Sequence, residues 1–224
     1  MTTAERVDRG LLGSIVAILA ITIVIAIFGP DFFAHTYAAE DGIVEYATAV
    51  FLLIASIVLV RNAISLKSRG MGFAFGLTLF YALLFFLASG EEISWGQRIF
   101  GWETGEALLE HNKQGETNFH NLVIQTPWGE LDLVKTVFGS VLTTVLLIYL
   151  VGLPLLFPRS TFIANLANRL AVPVPRLSHA ILAVLSSLVI ALIIAGRKWE
   201  VYELIFSLLA TSIFLLPQNK EHTK

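Results

Sequence analysis

The sequence predicts an all-α protein: a polytopic membrane helical bundle of six transmembrane helices, N-in and C-in. Three observations carry this. Hydrophobic residues make up 56% of the 224 and charged residues only 14%, whereas a soluble domain carries about 25% charged residues to cover its surface. Six apolar segments are long enough, or nearly so, to cross roughly 30 Å of hydrocarbon, which takes about 20 residues. Lys and Arg then fall ten against five on the side of the termini, as the positive-inside bias requires. A soluble enzyme is excluded, and so is a disordered chain, because 11% aromatics and long apolar runs collapse. The net charge of −2 offers no footprint for nucleic acid. Cysteine is absent, which removes disulfides, thiolate nucleophiles and Cys-ligated metals.

The first segment, residues 11–29, is interrupted only by Ser14 and Thr22. It exceeds the about 7–15 apolar residues of a signal peptide, so an uncleaved anchor is expected. The second, 43–60, carries Glu45 in its first turn, and the third is 72–89. The fourth, 136–157, has Pro154 near its end; the fifth is 177–195; the sixth, 199–216, holds Glu203 about one turn in. Backbone groups cannot stay unpaired in lipid, so these segments are helices. The whole chain, 1–224, reads as one integral domain of the plasma (inner) membrane. Residues 158–176 are basic, with Phe162, Leu166 and Leu170 opposite Asn165, Asn168 and Arg169, which predicts a short helix lying on the inner surface. Residues 90–135 form a long extracytoplasmic loop.

Polar groups concentrate on the outer side, where 14 of the 17 Asp and Glu fall. Glu40, Asp41 and Glu45 open the second helix, Glu91 and Glu92 close the third, and Glu200 and Glu203 open the sixth. The positive dipole end eases Glu45 and Glu203, while Glu91 and Glu92 sit at the unfavourable end of their helix. A carboxylate near a membrane helix end costs on the order of 1 kcal/mol unless paired, so this placement invites a function. If the helix continues through residue 98, Glu91, Ser94, Trp95 and Arg98 share a face. An ion pair between Glu91 and Arg98, with Glu92 held by Lys198 or Arg197, is the plain structural alternative. In the loop, Glu116 and His120 stand four apart; on a helical turn they would bind a divalent metal or form an acid/base pair. His111 is a further candidate. Asn112, Gln114, Thr117, Asn118 and Asn121 suit an ordered polar network. Trp95, Trp102, Trp128 and Trp199 fall at one level, as an interfacial belt would place them. His35 and His179 look incidental.

Three of these segments, Glu40-Asp41-Gly42-Ile43-Val44-Glu45, residues 90–98 (GEEISWGQR) and residues 114–121 (QGETNFHN), resemble an uncharacterised family of prokaryotic multi-pass membrane proteins. That family carries the patterns E-D-G-x-x-E, G-E-E-I-S-W-G-Q-R and Q-G-E-T-N-(L/F)-H-N. The resemblance covers roughly a third of the chain and implies positions, not a reaction. Membrane hydrolases of the alkaline ceramidase type differ, because their paired histidines on a late helix are replaced here by Glu200 and Glu203.

The expected function is a membrane-embedded enzyme acting at the outer leaflet, by hydrolysis or group transfer, on a lipid or lipid-linked substrate. Glu92, Glu116 and His120 are the candidate catalytic groups. Gln97, Asn118, Trp95 and Arg98 are candidates to orient substrate. Glu45, Glu92, Glu116, His120 and Glu203 are candidates to hold a divalent metal of unspecified identity. Membrane lipid and an amphiphilic substrate are the expected partners, with a homo-oligomer as an option. A proton or cation carrier using the same carboxylates is the first alternative, and a scaffold for another protein the second.

Overall fold

The structure is a computed structural model that describes residues 1–224, with the side chains of all but Ala107, Val134, Phe138 and Ser140. It is mostly helical. Four helices are long and apolar enough to cross a membrane: α1 (Thr3–Phe28), α2 (Ile43–Ser68), α3 (Gly72–Glu92) and α4 (Lys135–Leu156). After α5 (Thr161–Arg169) come the apolar helix α6 (Leu177–Leu192), of 16 residues, and α7 (Lys198–Leu215), of 18. Helix α6 is shorter than a full span, and α7 carries Lys198, Glu200 and Glu203 in its first two turns. These features are compatible with a membrane protein. So is the exterior, where the large apolar side chains of Val16, Val24, Leu83, Val145, Ile148 and Leu188 are exposed.

Each helix begins where its residues dictate. Thr2 caps α1, its hydroxyl accepting from the Glu5 N–H while Glu5 accepts from the Thr2 N–H, a reciprocal capping box. Ser160 caps α5 by accepting from the Ile163 N–H at 3.3 Å, and α5 is the amphipathic helix expected from its apolar spacing. Helix α7 forms the centre, with Val201, Leu204, Ile205, Leu208, Leu209 and Ile213 buried against α1, α2 and α6. Helices α2 and α3 pack along small residues, among them Ala49, Ala55, Ala74 and Ala82, which let backbones approach closely. Buried hydroxyls in this seam donate to carbonyls: Ser56 to Ala82 at 2.7 Å and Ser89 to Ala49 at 2.8 Å.

Both termini lie at one end of the bundle, here the termini end. Asp8 is buried there; one of its oxygens pairs with Arg176 and accepts from the Ser212 hydroxyl at 2.6 Å. His179 Nδ1 accepts from the Arg176 N–H at 3.0 Å, so its proton lies on Nε2, 2.8 Å from Ser212. His179 is therefore not incidental: with 0% exposure it joins α6 to α7 and, through Ser212, to α1.

The opposite, loop end departs most from expectation. The helix does not continue through residue 98: it stops at Glu92, and Ser94, Trp95 and Gly96 all take positive φ. Inside the loop, β1 (Val123–Thr126) and β2 (Gly129–Asp132) form an antiparallel hairpin with Val123 opposite Asp132. A two-residue turn, Pro127 and Trp128, closes it, and Trp128 at the tip is 94% exposed. Residues 116–120 are not helical, so Glu116 and His120 do not share a helical turn.

Candidate functional site

The segments 40–45, 90–98 and 114–121 converge on one frame at the loop end. Gly90 is required by packing: a Cβ there would sit 2.8 Å from the Trp95 ring. The turn that brings this ring back carries Ser94 at φ 46° and Trp95 at φ 56°, a conformation costing roughly 1–2 kcal/mol per non-glycine residue. The indole N–H of Trp95 donates to Glu91 at 2.8 Å. The other Glu91 oxygen accepts from the Phe119 N–H at 2.6 Å and the His120 N–H at 3.3 Å. Glu91 thus clamps the loop onto the end of α3. It does not pair with Arg98 as the continuous-helix reading expected; Arg98 lies 3.2 Å from Glu116 and 3.4 Å from Asp41.

Glu116 is the hub of the loop. Buried to 5% exposure, it accepts from Ser94 at 3.1 Å, Asn118 at 2.7 Å, Asn121 at 3.2 Å and Arg98 at 3.2 Å. Asn112 accepts from the Gln114 and Glu116 N–H groups and donates to Asn118, and Gln97 accepts from the Thr117 N–H at 2.7 Å. Four donors leave the Glu116 carboxylate little capacity for a metal or substrate. Gln97, Asn118, Trp95 and Arg98, expected to touch substrate, have polar groups engaged in the same frame. His120 is half-buried beside it; burial holds its imidazole below the usual histidine range, against the opposing pull of Glu91 and Glu116.

What the frame presents is Glu92. Its carboxylate, with those of Glu200 and Glu203 from the first turns of α7, brings one oxygen per residue within 4.8 Å of the other two. Glu92 and Glu203 are in hydrogen-bond contact with each other. Glu45 stands close enough to act electrostatically on Glu92 and Glu203, and it accepts from the Asp41 N–H at 2.6 Å. Among the described residues no ion pair reaches Glu92, Glu200 or Glu203. Arg197 is taken by Glu40 at 2.7 Å, and the Lys198 ammonium donates to the Ile193 carbonyl at 2.6 Å. Glu92 and Glu200 are half-buried, and Glu203 opens to the outside of the bundle.

The expected five-residue ligand set therefore divides. Glu92 and Glu203 meet, Glu45 adjoins them, and Glu116 and His120 belong to the loop frame. Sequence reasoning passed over Glu200 as a member; its i, i+3 spacing to Glu203 at the start of one helix was the available signal. Two carboxylates in mutual contact need a proton or a cation between them. With three oxygen donors and neither imidazole nor thiolate in the group, the donor set suits a hard cation such as Mg²⁺, Mn²⁺ or Ca²⁺ over zinc. No family model, curated protein or solved structure matches this chain, so the site is read from its own chemistry.

Proposed function

We propose that this is a six-span protein of the plasma membrane, with its termini inside, that holds a divalent cation on Glu92, Glu200 and Glu203 at its outer rim. On this reading it hydrolyses, or transfers a group from, a lipid or lipid-linked substrate. The observation that carries the reading is the convergence of three carboxylates that make no ion pair with Lys or Arg among the described residues. Positive-inside charge supports the orientation, and the 16 residues of α6 reach further in their extended continuation toward Arg197. Glu203, open to the outside of the bundle, lies where a headgroup could arrive from the bilayer. The bound cation would polarise a phosphoryl or carbonyl oxygen and lower the pKa of a coordinated water. Glu45, which acts electrostatically on Glu92 and Glu203, would take up that water's proton.

A second reading, proton carriage, is favoured by one feature: the central helix α7 carries Glu203 at one end and Ser212, with Asp8 and His179, at the other. Manganese titration of the protein in nanodiscs, followed by EPR, tests the first reading. We expect one Mn²⁺ per chain, at least tenfold weaker in Glu92→Gln, and Mn²⁺-dependent headgroup release from a phospholipid panel that Glu92→Gln abolishes. Absence of Mn²⁺ binding overturns the cation site. Binding without turnover, together with proton flux in liposomes under a pH gradient, selects carriage instead.

A further inference from the structure

At the termini end, far from the carboxylates, α4 and α6 meet through the turns Ile148–Gly152 and Leu153–Leu156 of α4. Between them runs an apolar groove of about 290 Å³, walled by Val151 and Leu155 of α4 and by Leu177, Ile181, Val184 and Leu185 of α6. From Leu177 to Leu185 the helix rises about 12 Å at about 1.5 Å per residue. That approaches the roughly 15 Å depth of hydrocarbon in one leaflet.

Each wall ends in a guanidinium. Arg159 donates to the carbonyl of the groove residue Leu155 at 2.5 Å. Arg176 directly precedes Leu177; it pairs with Asp8, and its Nε is buried without a hydrogen-bond partner. Beside this mouth, α5 exposes Phe162 and Leu166, side chains suited to the boundary between headgroups and acyl chains. The termini end carries ten Lys and Arg against three Asp and Glu.

We infer that this groove is a binding site for an anionic phospholipid of the leaflet at the termini end, one acyl chain lying between α4 and α6 and the phosphate at Arg159. The charge of the mouth selects the anionic headgroup, and the apolar walls select a chain over a soluble anion. The inference stands independently of what the carboxylate cluster binds.

The test is native mass spectrometry of the full chain released from mixed micelles of phosphatidylglycerol and phosphatidylcholine. Wild type is expected to retain about one phosphatidylglycerol per chain in preference to phosphatidylcholine. Arg159→Gln should lower that retention roughly fivefold, as one juxtamembrane cation would. Val184→Trp, which fills the groove from an exposed wall position, should remove it, and Ile181→Trp should do the same if Val184→Trp fails to fold. Equal retention of the two lipids overturns the inference. So does retention unchanged by a folded Trp variant, because the lipid would then be held by surface charge without the groove.

Discussion

The two ends of this bundle treat carboxylates in opposite ways. Asp8, at the termini end, is answered by Arg176 and by Ser212, which His179 also holds. At the loop end Glu92, Glu200 and Glu203 face one another, and the nearby cations Arg197 and Lys198 are engaged with Glu40 and a backbone carbonyl. A satisfied buried charge is an architectural device. A repulsive group held in place by a dedicated frame costs stability, which marks it as kept for another reason. The loop end contains both kinds within one turn of chain, since Glu91 clamps the loop while Glu92 is left to the cluster.

The largest effect that could break this contrast is at Asp8. Asp8→Ala takes away the carboxylate that the half-buried Arg176 and the Ser212 hydroxyl share, and thermal unfolding in detergent should show a loss of about 2 kcal/mol. A loss near zero would mean that the network is ornamental and the contrast between the ends false. Glu203→Gln should act with the opposite sign. Relieving like-charge repulsion in cation-free buffer should stabilise the fold by on the order of 1 kcal/mol, and the gain should vanish when Mn²⁺ is added, because the wild type then recovers its own stabilisation. Destabilisation in cation-free buffer would show that Glu203 is a structural residue like Asp8.

The smallest effect concerns pH. His120 has its pKa lowered by burial, so the unfolded loop takes up a proton near pH 6.5 while the folded loop stays neutral. Stability of the loop is then full above that value and falls as pH drops toward the lowered one. Protection of the amides of residues 111–122, taken as exchange relative to the intrinsic rate at each pH, should fall between pH 7.5 and 5.5 in wild type and not in His120→Gln. Asp132 titrates with a different sign of cause. Its hydrogen bond from Lys113 holds its pKa down, so its contribution persists until much lower pH and does not confuse the measurement.

Hydrophobic patterning located the helices because each needs only its own residues: the starts of α2, α3 and α6 fall where the apolar runs begin. The amphipathic α5 was legible for the same reason. The hairpin at Val123–Asp132 was not, since its strands are only four residues each and carry too short an alternation to stand out. Nor was the break at Ile93, where packing of Trp95 onto Gly90 overrides a sequence that could have continued the helix.

From its residues alone this chain is an apolar, helical, cysteine-free protein with acidic groups gathered toward one side, because composition and periodicity are local properties. Whether a given carboxylate is quenched or left in conflict depends on which side chains meet across helices and loops hundreds of atoms apart in the chain. Only the tertiary structure decided that Glu116 is surrounded by donors and that Glu92, Glu200 and Glu203 have each other.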